Sequence, residues 1–260
     1  MRIATWNVNS INARLETALA VIADLNADVI CLQELKCEDH RFPREAFEDL
    51  GFNVATHGQK TYNGVAILSK HPIEEASPRL PGDPDDDQAR YLEAVITRDG
   101  GAVRVASMYM PNGNPVESPK FPYKLAWMER LIGHARGLLA LEEPVVLAGD
   151  YNVIPRPEDC HDPRAWAGDA LFRPESRAAH RALLNLGYTD AFDALDGRSG
   201  QYTFWDYQAG AWPKDHGIRI DHIACSPQAA DRLKAIEIAR AARGREKPSD
   251  HVPVVATFDL

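Results

Sequence analysis

Four times along this chain a short apolar run, long enough for one buried strand, stops on a residue that can hold a metal ion or a phosphate. The clearest case is Val145-Val146-Leu147-Ala148-Gly149-Asp150-Tyr151-Asn152, which ends abruptly in Gly-Asp-x-Asn and delivers a carboxylate and an amide to the mouth of a sheet. Taken alone, that segment also fits a turn, because Gly, Asp and Asn are the usual turn residues. Its counterparts argue otherwise. The run from Arg2 closes on Asn7, the run from Asp28 on Glu34, and the run from Val103 on Tyr109. A turn calls for Gly, Pro, Ser or Asn at such ends, not Glu or Tyr. Ligands of open sheets bind outside the carboxyl ends of the strands, so these four residues are expected to line one rim. Two carboxylates and an amide carbonyl are hard oxygen donors, suited to Mg²⁺ or Mn²⁺ rather than zinc. Asp250 and His251 add a third carboxylate and a titratable imidazole from the far end of the chain.

Between these runs strand and helix alternate. Ile11, Leu15, Ala18, Leu19, Ile22 and Leu25 recur at helical spacing behind the N-cap residues Asn9 and Ser10, which predicts an amphipathic helix over 11–26. Strands are expected over 54–57 and 64–68, about the turn-like Tyr62-Asn63-Gly64, and over 91–97 and 103–110 as a hairpin linked through Asp99-Gly100-Gly101. Period two puts Ile30, Leu32 and Glu34 on one strand face and Val105, Ser107 and Tyr109 on another. A long helix over about 121–140, with a stripe of Leu125, Met128, Ile132, Ala135 and Leu139, precedes the Val145 strand. Residues 153–173 read as a long ordered loop, a kind more often functional than decorative. Beyond it come a helix over 175–186, strand-like 202–207 and 217–223, a short helix over 228–233 opened by Ser226-Pro227, and a last strand over 252–258. No linker or composition break divides the chain, so residues 1–260 are expected to form one domain.

Composition narrows the partners. At 260 residues, 45% hydrophobic and 26% charged, the chain has the make-up of a water-soluble globular protein. Met1-Arg2-Ile3-Ala4-Thr5-Trp6-Asn7 turns polar too early for a secretory segment, and no run approaches the roughly 18 apolar residues of a membrane span. A cytoplasmic location away from membranes is expected. Cys31, Cys37, Cys160 and Cys225 are scattered without a CxxC pair, so neither a zinc knuckle nor a disulfide framework is indicated. A net charge of -9 looks unfavourable for a nucleic-acid partner. A partner, however, feels charge only within a Debye length of about 8 Å. Gly82–Asp87 gathers four of the acids in one loop, whereas Arg240, Arg243, Arg245 and Lys247 against Glu246 make 240–247 locally positive. Overall charge therefore neither requires nor excludes DNA.

Seven ordered motifs carry a resemblance. They are Asn7 in Thr-Trp-Asn-Val-Asn, Leu32-Gln33-Glu34-Leu35-Lys36, Asn63-Gly64-Val65-Ala66-Ile67, Tyr109-Met110-Pro111-Asn112-Gly113, Gly149-Asp150-Tyr151-Asn152, Arg219-Ile220-Asp221-His222 and Ser249-Asp250-His251-Val252-Pro253. In these the chain resembles, essentially end to end, the exonuclease III class of AP endonucleases within the endonuclease/exonuclease/phosphatase superfamily. Gln33-Glu34 with Lys36, and Phe204-Trp205-Asp206-Tyr207 leading into Arg219-Ile220-Asp221, resemble its DNA-repair branch. The resemblance implies an α/β fold of DNase I-like type, a four-layer αββα sandwich of two packed mixed β-sheets flanked by helices. It also implies a monomer that uses Mg²⁺, or Mn²⁺, to hydrolyse phosphodiesters of double-stranded DNA. The activities implied are cleavage 5' to abasic sites, 3'-to-5' exonuclease and 3'-phosphatase.

By the same resemblance Glu34 is the principal metal ligand, with Asn7, Asp150, Asn152, Asp250 and His251 close to the ion. Asp150 is expected to position and deprotonate the attacking water, Asn152 to hold that water or a phosphoryl oxygen, and Tyr109 to contact the phosphate or the leaving group. His251 is expected to donate to a non-bridging oxygen, or to act as the base in place of Asp150, while Asp221 fixes its imidazole and raises its pKa. Asn112, Trp205 and Arg219 fall among the substrate-binding residues. Phe204, Ile218 and Ile220 would surround a flipped-out abasic sugar in a pocket that rejects a nucleotide still bearing its base. On composition alone Phe204, Trp205 and Ile218 read as core, and His222, turned to the other sheet face beside Asp221, as structural. Two rival readings remain. A phosphatase or lipid phosphodiesterase of the same superfamily would be expected to lack Lys36 and Phe204-Trp205-Asp206, which are present. A non-catalytic DNA- or protein-binding relative would tolerate loss of Glu34, Asp150 or His251, and none is lost.

Overall fold

Among the described residues, 1–98 and 100–260 of a computed structural model, the apolar runs pair into two six-stranded sheets. In chain order the strands are β1 (Arg2–Asn7), β2 (Val29–Gln33), β3 (Asn53–His57), β4 (Val65–Ser69), β5 (Ile73–Pro78), β6 (Tyr91–Arg98), β7 (Gly101–Tyr109), β8 (Val145–Asp150), β9 (Thr189–Asp190), β10 (Asp221–Cys225), β11 (Leu233–Ile238) and β12 (Val254–Phe258). The first sheet runs β11-β12-β1-β2-β4-β3 and the second β5-β6-β7-β8-β10-β9. Each is mixed: β1 with β2, and β7 with β8, are parallel central pairs. Parallel neighbours end side by side, so Asn7 pairs with Gln33, one residue before Glu34, and Tyr109 pairs with Asp150. The four ligand-type residues share a rim for this reason.

Alternation sorts the core into layers. On β1, Ile3 faces the other sheet while Ala4 and Trp6 face outward, as period two requires. Helix α1 (Leu15–Leu25) lays Ala18, Val21, Ile22 and Leu25 on Ala4, Trp6, Ile30 and Leu32. Full burial of one such aliphatic side chain is worth about 1.5–3 kcal/mol. Helices α2 (Lys120–Leu139) and α3 (Pro174–Leu184) cover the outer face of the second sheet over Met108, Val145 and Leu147. Between the sheets Ile3, Val29, Cys31 and Ile67 meet Leu92, Val105, Val146 and Ala148. One polar knot interrupts this apolar layer beneath the rim: Gln33 Nε2 donates to Ser107 Oγ and Thr5 Oγ1, both at 3.1 Å, and Ser107 Oγ donates to Leu32 O at 3.0 Å.

Several elements differ from the sequence expectation. Asn9 and Ser10 do not cap the first helix; both hold positive φ, 45° and 82°, and a 3-10 turn over Asn12–Arg14 leads into α1. The buried face of α2 is Phe121, Lys124, Trp127, Met128, Leu131, Ala135 and Leu138, while Leu125, Ile132 and Leu139 lie at its half-buried border. Residues 202–207 form no strand and join the structure through isolated bridges from Phe204 to Ile218 and His251. Of 217–223 only Asp221 onward is strand, and the helix opened by Ser226-Pro227 stops at Ala230. β5, β9 and β11 escape the sequence pattern because all three are edge strands, short or largely exposed, with no clean alternation. The loop 153–173 contains a 3-10 turn, Pro157–Asp159, and a short helix, Pro163–Trp166. Asp99 of the expected hairpin link lies outside the described residues. Among those described, no helix is long and apolar enough to cross a membrane.

Candidate active site

Backbone shape gathers the ligand-type side chains. Glu34 follows β2, and Asn152 follows β8, in the left-handed region, with φ of 54° and 47°. Non-glycine residues keep such backbones only where their surroundings over-determine them. Asn7 stands between the sheets. Its Nδ2 donates to Glu34 Oε1 at 2.8 Å and to Asp150 Oδ2 at 2.9 Å, and its Oδ1 accepts from the Asn9 N–H at 3.0 Å. One amide thus joins a carboxylate of the first sheet to one of the second. Asp150 Oδ1 accepts from the Asn152 N–H at 2.9 Å. Asn152 Nδ2 donates to Met110 O at 2.8 Å, and Asn112 Nδ2 donates to Asn152 Oδ1 at 3.1 Å. Only glycine fits before Asp150, since a Cβ at Gly149 would meet Met108 O at 2.0 Å.

The far end of the chain completes the cleft. Ser249 Oγ donates to Asn7 O at 2.7 Å, which holds the Ser249-Asp250-His251 turn against β1. His251 Nδ1 pairs with Asp221 Oδ2 at 2.9 Å, and its Nε2 stands 3.8 Å from Asp150 Oδ2. Asp250 lies at the edge, accepting from Asn9 Nδ2 at 3.0 Å. Lys36 ties the same edge, with Nζ 2.9 Å from Glu34 Oε2 and 2.5 Å from Asn9 Oδ1. Asn9 therefore serves the cleft rather than the helix start. The Tyr109 ring lies under the Arg90 guanidinium, 4.8 Å away.

Burial pushes the Asp150 carboxyl up, and the charge of His251 and the Asn7 hydrogen bond only partly oppose it. Burial disfavours the charged imidazole of His251, but Asp221 and Asp150 outweigh it and hold its pKa well above the ordinary histidine value. At Glu34 burial is likewise outweighed, by Lys36 and the Asn7 amide, and the carboxyl sits below the usual glutamate range. Burial, with Glu34 and Asp150 nearby, pushes the Tyr109 hydroxyl up and keeps it a donor. Lys36 thus pairs with Glu34, and His251 stands between Asp150 and Asp221, while among the described residues the Asp250 carboxylate meets only the neutral Asn9 amide and the Ser249 hydroxyl. Ligand-type atoms of Glu34, Asp150 and His251 lie within 4.8 Å of one another, and with the imidazole protonated it is the Glu34 and Asp150 oxygens that fit a hard divalent ion.

Beside the imidazole lies an apolar patch. The Phe204 ring meets His251 at 4.9 Å, and Phe204 and Trp166 pack on a buried cluster of Ile154, Cys160, Leu171, Phe172, Ile218 and Ile220. The structure brings Phe204, Ile218 and Ile220 together, but Ile218 and Ile220 are buried, so of the expected three only half-buried Phe204 offers a surface, joined by Trp166, which no motif marks.

Two expected substrate-binding residues are not in the cleft. Trp205 is fully buried in the outer core of the first sheet, its indole donating to Asp215 at 2.9 Å. Arg219 is 1% exposed, and its guanidinium is taken up by Asp159, Asp193 and the His222 ring, each at 3.0 Å. Alternation explains both corrections: Trp205 and Arg219 lie opposite Phe204, Ile218 and Ile220. His222 belongs to that same network, and its Nε2 donates to Val153 O at 3.1 Å. His180, Asp190 and His222 form a second cluster of metal-type side chains, but the Arg219 guanidinium already stands at 3.5 Å from Asp190 and 3.0 Å from His222.

Arg14 and Lys124 went unmarked in the sequence. Arg14 donates to Pro248 O at 3.1 Å, to the Tyr207 hydroxyl at 2.9 Å and to Asn9 O, tying three segments of the rim. Lys124 is wholly buried below Asn112 and Asn152. Its signal was available: a lysine three residues from both Phe121 and Trp127, in register with the buried face.

The chain matches the endonuclease/exonuclease/phosphatase family over residues 4–251. It is 33% identical to exodeoxyribonuclease III of Haemophilus influenzae, over 99% of this chain and 100% of that protein. It superposes on an AP endonuclease from Archaeoglobus fulgidus with a TM-score of 0.94 and 36% identity, covering 100% of both chains. A 3' phosphatase, NExo, from Neisseria bound to a product DNA hairpin superposes with a TM-score of 0.94 and 38% identity, again covering 100% of both.

Proposed function

The chain belongs to the endonuclease/exonuclease/phosphatase family, and from that membership and the cleft we propose how it acts on DNA. It is a metal-dependent hydrolase, a DNA-repair nuclease of the exodeoxyribonuclease III type. Its substrates in this reading are duplexes with abasic sites, cut on the 5' side, and 3' ends bearing a nucleotide or a phosphate. The observation that carries the reading is the Asn7 amide, which holds Glu34 and Asp150 together within reach of His251.

A phosphodiester repels hydroxide by its own charge and has a poor leaving oxygen, so the site must neutralise the phosphate and activate water. Asp150 takes the proton of the attacking water; its raised proton affinity suits a base working near neutral pH. His251, kept cationic by Asp221, donates from Nε2 to a non-bridging oxygen. Asn152 gives one amide N–H to Met110 O and keeps the other for the water or a phosphoryl oxygen. Tyr109, held protonated, donates to the phosphate or the leaving oxygen, and Asn112 orients Asn152 from the cleft side. Glu34, with Asn7 and Asp250 alongside, would hold Mg²⁺, which supplies neutralisation of charge at the phosphate and leaving oxygens. Phe204, backed by the buried Ile218 and Ile220, forms the wall against which a base-free sugar lies. Residues 1–260 act as one folding unit and as a monomer in the cytoplasm; the Asn7 and Gln33–Ser107 contacts that bridge the sheets support a single unit.

A side-by-side assay on an abasic duplex, a blunt 3' end and a 3'-phosphate end tests the reading. Cleavage of the abasic strand and release from the 3' ends are expected with Mg²⁺, loss of all three with EDTA, and recovery on re-addition. Cleavage that survives EDTA would remove the cation from the scheme, and inactivity on all three DNAs would overturn it.

A further inference from the structure

We propose that Lys124 is a positioning residue: its buried ammonium pins the loops after β7 and β8 by their backbone carbonyls and so sets where the Asn112 and Asn152 amides stand. The inference rests on the reading of Asn152 and Asp150 as hydrolytic residues. Lys124 projects from the buried face of α2 and is 0% exposed. Its Nζ donates to Asn152 O at 2.5 Å and to Asn112 O at 3.2 Å. Those carbonyls belong to the two residues whose side chains bond one another at 3.1 Å at the cleft. The lysine therefore grips from behind the pair that faces the phosphate from in front.

Two further features point the same way. Asn152 holds a left-handed backbone at φ 47° and is held at four points, its N–H to Asp150, one side-chain N–H to Met110, its side-chain oxygen from Asn112 and its carbonyl from Lys124, which leaves one amide N–H for the cleft. The ammonium is one of four restraints on a backbone that would otherwise relax. The loop is also built on the lysine stem. At Gly113, with φ 91°, a Cβ would meet Lys124 Cδ at 2.7 Å. Packing does not call for a charge here. Burying an ammonium costs desolvation, and a methionine would fill the same space without that cost. What methionine cannot do is satisfy two carbonyls and hold them at a fixed separation. A shift near 1 Å in such a group costs on the order of a hundredfold in rate.

The test is Lys124→Met, assayed on an abasic duplex with Mg²⁺, alone and combined with Asn152→Ala. We expect kcat to fall about tenfold to a hundredfold with KM little changed. In the Asn152→Ala background the same substitution should add little, because the group it positions is gone. An unchanged kcat, a rise confined to KM, or an equal loss in both backgrounds would overturn the proposal. If circular dichroism shows that the methionine variant does not fold, Lys124→Gln replaces it. Gln keeps an N–H for one carbonyl, so an intermediate kcat that is again non-additive with Asn152→Ala is expected, and additivity would overturn the proposal. A wild-type protein inactive on DNA would sink the functional reading instead, whereas an active wild type with an indifferent Lys124 sinks this inference alone.

Discussion

Asp150 and His251 stand 3.8 Å apart, both with raised proton affinity, and both shifts can be read in the pH dependence of turnover. Asp150, raised by burial, works only when deprotonated, so activity is lost as pH falls through a value above the ordinary aspartate range. His251, raised by Asp221 and Asp150 against burial, works only when protonated, so activity is lost as pH rises through a value above the ordinary imidazole range. A bell-shaped profile of kcat/KM is expected, and replacing Asp221 by Asn should move its alkaline limb to lower pH. An alkaline limb that stays in place would separate His251 from Asp221. Asp150→Asn keeps the shape and removes the base, and should lower kcat by about 10²–10⁴. Near-normal turnover in that variant would strip Asp150 of its role. Asp150 was legible because its strand end is one of four, and the Glu34 and Tyr109 that close two others are poor turn residues, whereas His251, which precedes β12, was marked by the motif and by Asp250 beside it.

At the scale of elements, the segment joining Phe204 to β10 shows what alternation decides. Ile218 and Ile220 turn to the apolar patch by His251, so Arg219 between them must turn the other way, into Asp159, Asp190 and Asp193. Motif resemblance put Arg219 with the substrate, while strict period two would have excluded it. Burial works against the Asp190 and Asp159 carboxylates, but Arg219 outweighs it and holds both below the ordinary aspartate range. Because their folded pKa values are depressed, the stability they contribute is fully present above the ordinary aspartate range and is lost as pH falls through and below it. Arg219→Leu should cost about 3–5 kcal/mol at neutral pH, since it leaves buried carboxylates unpaired. The gap from wild type should narrow on acidification, as protonation relieves the variant and removes the wild-type advantage. Urea unfolding across the acid range checks this, and a gap that widens in acid would refute the pairing.

For the whole molecule, net charge of -9 conceals a local question. The stretch 240–247 is positive in sequence, but its members differ once folded. Arg243 is buried, donating to Trp205 O at 3.1 Å and lying 5.0 Å from the Tyr207 ring, whereas Lys247 is exposed. Lys247→Ala should reduce the slope of log affinity against log salt by about 0.9 if it meets one phosphate of duplex DNA. Arg243→Ala should instead lower Tm with the slope unchanged, and the reverse pattern would exchange their roles. The sequence by itself determined the central strands and the list of reactive residues at strand ends, because periodicity and residue chemistry are local and survive without a fold, whereas the edge strands and the full buried face of the long helix escaped it. Tertiary structure alone decided which of those residues meet. That Asn7 touches Asp150 depends on two sheets packing face to face. Its contact with Glu34, the reach of Asn9 to Asp250 instead of capping a helix, and the burial of Trp205, Arg219 and Lys124 depend on distant segments meeting within each sheet and its outer layer. Contacts between residues 143 and 241 positions apart leave no trace in any window of the chain.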